Sequence, residues 1–186
     1  VQGGVGSLRA HPLFVVVRRA LAAAKQQFDF SLVHFSVQRD HLHLIAEASD
    51  RRALSRGVQG LSIRVARAVN RQLGRKGRLF ADRYHARALK TPRAVRFALR
   101  YVLLNARKHR ERDGVAAGFV DSRSSAAWFL GFARPVELAF GAHEVRSEWL
   151  RTSGSADPPV VEASLWLLRV GQRRVGYFDL DDTPGA

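Results

Sequence analysis

The sequence predicts an α+β domain built on an antiparallel sheet. Two observations carry that expectation. Long stretches with apolar residues at three- and four-residue steps alternate with short runs rich in Val, Ile, Phe and Leu, and two of the short runs are separated by only three polar residues, Gln38, Arg39 and Asp40. A length of 186 residues suits one ordinary domain with a core of its own, here divided into a core over residues 1–112 and a partly irregular extension over 113–186.

The elements follow in order. Residues 12–27 predict a helix, with Pro12 suited to its first turn and Phe14, Val17, Leu21 and Ala24 on one stripe. Residues 28–37 alternate apolar with small or polar side chains and predict a strand. The run HLHLIAEA from His41 predicts its hairpin partner. Residues 51–73 predict a long helix through Leu54, Val58, Leu61, Val65, Val69 and Leu73, ended by Gly74 and Gly77. Residues 79–89 read as another extended segment. Thr91-Pro92 then supplies an N-cap and a first-turn proline for a helix reaching about residue 110, with Val95, Leu99, Val102 and Ala106 as its buried stripe. Phe97, Tyr101 and Asn105 form a neighbouring stripe at i, i+4 spacing. From residue 113 glycine, serine and proline break the pattern, and residues 153–159 resemble a linker.

Charge narrows the partner. Lys plus Arg number 31 against 16 Asp plus Glu, a net charge of +15, and nearly all of the excess is arginine. The guanidinium fork suits phosphate oxygens, so nucleic acid is the expected partner; arginine enrichment from a GC-rich genome is the bland alternative. Arg64, Arg67, Arg71 and Arg75 line the polar face of the second long helix, and Arg78, Arg83 and Arg87 follow it. One stripe of a single sign makes a better phosphate track than mixed charge. The chain has no cysteine, which excludes disulfides and thiolate metal sites. No apolar run approaches the roughly 20 residues that span a bilayer, so no membrane is expected and a cytoplasmic, nucleoid-associated location is. There is no methionine and the chain opens at Val1, which points to a non-AUG start or a trimmed one.

His41-Leu42-His43 is the most informative motif. Strand side chains alternate, so both imidazoles leave one face, about 7 Å apart at their Cα atoms, and can chelate one divalent ion. The bland reading is a pair of ordinary hydrogen-bonded strand histidines. His34, on the partner strand, reads as a core histidine rather than a ligand.

Three stretches, SVQRDHLHLIAEA, GRLFADRYHARAL and RYVLLNARKH, occur in that order around an arginine-rich helix. Together they resemble the HUH single-strand DNA transposases with one catalytic tyrosine, including the relatives associated with repetitive extragenic palindromes. The resemblance implies a ferredoxin-like βαββαβ core. Its first strand should precede Pro12, where VQGGVGSLRA is too glycine-rich to form one, so this strand is expected to be missing or truncated, as in a shortened or decayed copy. Loss of that strand is expected to leave the His-x-His strand with an open edge. The resemblance further implies Tyr101 as nucleophile, His41 and His43 as metal-binding pair and Asn105 as an additional ligand. It implies Mg²⁺ or Mn²⁺ as the divalent metal, single-stranded or hairpin DNA as substrate, and a homodimer. Asp40 stands where relatives often carry asparagine, adding a negative charge beside the metal.

Those residue types suit the chemistry. A metal ion neutralises charge on a phosphate, and a phenol attacking in line gives a phosphotyrosine that conserves the bond for strand joining. Tyr101 also reads as an aromatic anchor of a packed helix, and Asn105 as a hydrogen-bonding residue near a helix end. Tyr84 is the rival nucleophile. Two other functions stay open: a non-catalytic DNA-binding protein derived from a transposase, and a histidine-ligated metallohydrolase, for which no acidic constellation supplies a base.

Overall fold

A computed structural model describes residues 1, 3–105, 119–136, 139 and 141–182. Its centre is an antiparallel sheet in the order β1-β2-β3, formed by β1 (Gln26–Gln27), β2 (Phe30–Val37) and β3 (Leu42–Ala48). The hairpin between β2 and β3 is the one expected from the Gln38-Arg39-Asp40 break. Among the described residues β3 is an outer strand, and residues 3–10 form turns rather than a strand. This agrees with a ferredoxin-like core whose first strand is truncated.

The helix α1 (His11–Ala22) has Pro12 in its first turn, where a missing N–H is harmless. It stops five residues short of the expected end. Its apolar stripe runs out at Ala24, and the Lys25 carbonyl then accepts a bond from the Leu32 N–H at 2.7 Å while Gln26 and Gln27 pair with Ser31 and Phe30. Ladder bonds replace a helical turn that would have buried nothing. Phe28, expected in the strand, sits at the exposed tip of this hairpin with φ 45°.

The two faces of the sheet carry different cores. Leu42, Leu44, Ala46 and Ala48 of β3 pack with α1 and with Val58, Leu61, Val65 and Val69 of α2 (Arg51–Gln72). Ile45 packs on the other side with Val95, Leu99 and Val102 of α3 (Pro92–Leu103). A bulge between Leu32 and His34 lets β2 serve both. Phe30 and Leu32 belong to the first core and Val33 to the second, and the added residue returns Phe35 and Val37 to the first. The shift of apolar phase in FSLVHFSV is the sequence trace of this bulge.

The helix α2 is capped by Asp50, whose side chain accepts the Ala53 N–H at 2.7 Å, and ends before Gly74, at φ 62°. Gly57 brings it onto the sheet: a Cβ there would lie 2.2 Å from Cγ of Phe30. Residues 79–89, expected as an extended segment, are irregular and join no ladder. Only Leu79 is buried; Asp82, Arg83, Tyr84, His85 and Arg87 are all exposed, so no alternating face existed to seat a strand. The segment crosses from the α2 layer to the α3 layer. The Oγ1 of Thr91 then caps α3, accepting the Ala94 N–H at 3.1 Å. The helix ends at Leu103 with Leu104 as its cap, short of the expected residue 110; residues 106–110 lie outside the described ones.

The extension covers the free edge of β2 and completes the second core. The Val37 N–H donates to the Arg123 carbonyl at 2.8 Å, the Ser125 N–H to Phe35 at 2.9 Å and the Val161 N–H to Leu32 at 3.0 Å. Phe129, Phe132, Val145, Leu168 and Phe178 pack with α3 and Val33. Two helices of the extension, α4 (Ala142–Ser153) and α5 (Trp166–Arg169), are joined to the core by polar anchors. Arg18 of α1 is fully buried between Phe14 and Trp149 and donates to Oγ1 of Thr152 at 3.0 Å. The buried carboxylate of Glu47 accepts the Ser164 N–H at 2.9 Å, the Ser164 hydroxyl at 2.6 Å and the Leu165 N–H at 2.8 Å, fixing the start of α5 to β3. Among the described residues no helix is long and apolar enough to cross a membrane.

Candidate functional site

Strand alternation sends His41, His43, Ile45 and Glu47 to the α3 side of the sheet. His41 lies just ahead of β3, where its carbonyl accepts the Gln38 N–H at 2.9 Å. The two imidazoles meet edge to face, with Nε2 of His41 3.0 Å from Nε2 of His43. The Tyr101 ring, on α3, packs edge-on against His43 at 4.9 Å between centroids. Val95, Leu99 and Val102 anchor the opposite stripe of α3 in the core and so turn Tyr101 toward the histidines with 43% of its surface exposed. The sequence-predicted pair and the nucleophile candidate, 58 residues apart, form one cluster at the surface.

Asp40 orients the cluster. Its Oδ1 lies 2.7 Å from Nδ1 of His41. Accepting the Nδ1–H fixes the tautomer of His41 and leaves its Nε2 lone pair aimed at His43. The hydrogen bond to His41 also holds the Asp40 carboxyl below its usual value. A carboxylate–histidine pair of this kind raises the basicity of a ligating imidazole. The extra charge noted in the sequence therefore has a definite seat.

The donors suit a divalent ion. Two imidazole nitrogens 3.0 Å apart at the surface are donors that a divalent ion could share. No cluster of three or more His, Cys, Asp or Glu side chains that could hold a metal occurs among the described residues, so the remaining positions would fall to other donors. Asn105 is two residues past the end of α3 and 2% exposed, unlike the half-exposed Tyr101. The single rigid helix expected to carry both ends between them.

His34 is a core residue. It is buried, 3.2 Å from Oγ of Ser125 through Nδ1 and edge-on to Phe129, and desolvation pushes its pKa down to about 3. Tyr84 is exposed in the irregular segment. The arginines divide by position. Arg64, Arg67 and Arg71 are exposed on α2, whose buried stripe packs on the sheet face opposite Tyr101. Arg75 and Arg78 donate to the carbonyls of Arg78 and Ala81, and bend the chain after α2. Arg83 and Arg87 are exposed on the crossing segment. The phosphate track read from the sequence thus lies mainly on the other layer from the histidines. Sequence reasoning did not bring together the exposed Arg93 and Phe97 of α3 with the exposed Trp166 and Arg174 of the extension, whose elements pack on α3; the residue types were visible, but that packing was not.

A family model for IS200-like transposases matches residues 11–103, from the first residue of α1 to the last of α3. The chain belongs to that family. No curated protein and no solved structure gives a significant match. The matched span contains His41, His43, Tyr101 and every arginine named from the sequence as DNA-binding, and stops two residues before Asn105. Membership makes the chain transposase-like and DNA-binding; the described part of the extension lies outside the match.

Proposed function

We propose that this chain cleaves and transfers single-stranded DNA, with Tyr101 as nucleophile and His41 and His43 holding a divalent ion, Mg²⁺ or Mn²⁺. The observation that carries the reading is the Tyr101 ring packed on a histidine pair whose Nε2 atoms converge. An ion held there would neutralise charge on the scissile phosphate as a Lewis acid. Asp40 keeps the His41 lone pair directed into the site. The exposure of Tyr101 lets a long, charged backbone reach the phenol without entering a closed cavity.

In the reaction the Tyr101 oxygen forms a bond to phosphorus while the bond from phosphorus to the 3′ oxygen breaks. The phenolic proton passes to solvent and the departing 3′ oxygen takes one up. The product is a 5′ phosphotyrosine and a free 3′ hydroxyl, so a second hydroxyl can reverse the exchange and join strands without another energy source. Asn105 is the proposed third protein ligand. Hairpin-containing substrates, a homodimer and a nucleoid-associated location belong to the same reading and rest on family resemblance.

A second reading is a transposase-derived DNA-binding protein that no longer cleaves. It is favoured by the end of α3 before Asn105, which separates the proposed ligand from the nucleophile's helix. One assay decides between them: incubation with labelled single-stranded and hairpin oligonucleotides and Mn²⁺, followed by mass analysis of the protein. Wild type and Tyr84→Phe are expected to acquire a covalent nucleotide adduct, and Tyr101→Phe is not. An adduct on Tyr84 would move the site, and no adduct on any substrate would favour the second reading.

A further inference from the structure

The surface that continues from Tyr101 along α3 has a composition of its own. Phe97 lies one helical turn before Tyr101 and is 41% exposed, and Trp166 on α5 is 49% exposed. Each has an arginine over its ring: Arg93 at 5.5 Å from the Phe97 centroid, Arg174 at 5.1 Å from that of Trp166. The turn at Gly171–Val175 follows α5 and packs against α3. Arg96 fastens the chain just after it, donating from Nε to the Gly176 carbonyl and from Nη2 to that of Tyr177, both at 2.9 Å. An open hollow of about 330 Å³ remains, lined by Arg93, Arg96, Phe97 and Val175.

Isolated exposed aromatics are normal on protein surfaces. These two are not isolated. Of the arginines here, Arg100 is largely covered and meets Asp182 at 3.8 Å, while Arg93, Arg169, Arg173 and Arg174 are exposed. Aromatic faces paired with guanidinium groups on an open basic surface are the means by which proteins hold single strands without reading sequence. Duplex DNA offers no free base faces to such a surface, and an acidic protein would have no use for them.

We infer that α3 and residues 166–177 form a stacking platform for unpaired bases flanking the phosphate at Tyr101, with Phe97 and Trp166 as stacking faces and Arg93 and Arg174 on the backbone. The inference rests on the proposed role of Tyr101 for the position of the strand, and it assigns the extension a part in substrate binding.

The test uses the full chain carrying Tyr101→Phe, so that affinity is measured without cleavage. Phe97→Leu keeps the apolar bulk and removes the aromatic face; Phe97→Trp restores it; Trp166→Leu tests the second face. Single-strand affinity by fluorescence anisotropy is expected to fall about tenfold with each leucine, within the range of one stacked base. It should return with Phe97→Trp, while affinity for blunt duplex stays unchanged. Photo-cross-linking of an iodouracil-substituted single strand to the otherwise unaltered chain is expected to label Phe97 or Trp166. Unchanged single-strand affinity, an equal loss on duplex, or cross-links confined to α2 would overturn the platform. The outcomes separate from those of the cleavage reading. A Tyr101 adduct with no effect of the leucine variants sinks the platform alone, and a leucine effect with no adduct in the parent chain sinks cleavage alone.

Discussion

The two faces of the sheet are built by different means. The α1–α2 face is assembled mainly from neighbouring stretches whose apolar residues recur at helical spacing, with buried Arg18 tying α1 to Thr152 of the extension. The α3 face joins β3, α3 and an extension up to about 130 residues away, and it does so partly through buried polar anchors: Glu47 on Ser164 and Leu165, His34 on Ser125. The histidine–tyrosine cluster lies on this second face. A face held by exact polar matches is costlier to disturb than one held by repeated apolar contacts, so the two should respond differently to substitution and to pH.

Removing the Glu47 anchor should have the largest effect on stability. Glu47→Ala deletes three accepting contacts and leaves two backbone N–H groups and a hydroxyl to find new partners. A loss of about 3 kcal/mol is expected, measured by chemical denaturation. Amide exchange should quicken over residues 164–175 before it quickens in α2. Uniform exchange across both faces would break the distinction.

His34 should make the α3 face sensitive to acid. The unfolded chain takes up a proton at the ordinary imidazole value of 6.5, whereas the buried ring holds out to about 3. Between those values the unfolded state carries the additional proton, so stability falls as pH falls, by about 1.4 kcal/mol per unit for this one group. From pH 6.5 to 5 the contribution is about 1.6 kcal/mol. His34→Gln should flatten the slope over that range in thermal melts, whatever it costs in absolute stability. A parallel slope in the variant would assign the acid sensitivity elsewhere.

How much of this was legible follows the same division. The bounds of α2, the Thr91-Pro92 start of α3 and the hairpin before His41 could be read because caps, periodicity and short polar breaks act within a few residues. The His41–His43 pair was legible for the same reason, since strand alternation alone sets both rings on one face. The side on which a helix packs was not. Periodicity reports which stripe of α2 is buried, but not which face of the sheet buries it, so Arg64, Arg67 and Arg71 could not be placed against Tyr101. The partners of Glu47 were equally hidden, because a contact across 117 residues leaves no local pattern. Residues 79–89 misled because a stretch without helical period reads as extended, and nothing local separates a ladder strand from an exposed crossing segment.

Within the cluster, Asp40 sharpens the comparison further. If its carboxylate orients His41 for an ion, Asp40→Ala should weaken Mn²⁺ binding about tenfold, at the low end for such partners because the carboxylate is exposed. Isothermal titration of wild type and variant gives the difference. Asp40→Asn should keep part of the affinity, since an amide oxygen still accepts the Nδ1–H. Equal affinity in all three proteins would leave Asp40 as a surface residue.

The smallest effect belongs to the α2 arginines, and it bears most directly on the division of the molecule. Arg64, Arg67 and Arg71 face solvent on the layer opposite Tyr101, so a strand seated at the phenol cannot lie along them without rounding the sheet. The triple change to alanine should therefore lower single-strand affinity only through the general field of a chain at +15, by a few-fold at low salt. The slope of log affinity against log salt should change by far less than the roughly 0.7 per residue that three direct phosphate contacts would remove. The yield of any Tyr101 adduct at saturating DNA should stay the same. Arg93→Ala and Arg174→Ala on the other layer should each take about 0.7 from that slope if each meets a phosphate. A full loss of about 2 in slope from the α2 triple would mean that DNA wraps both layers, and the arginine stripe would regain the role its spacing suggested.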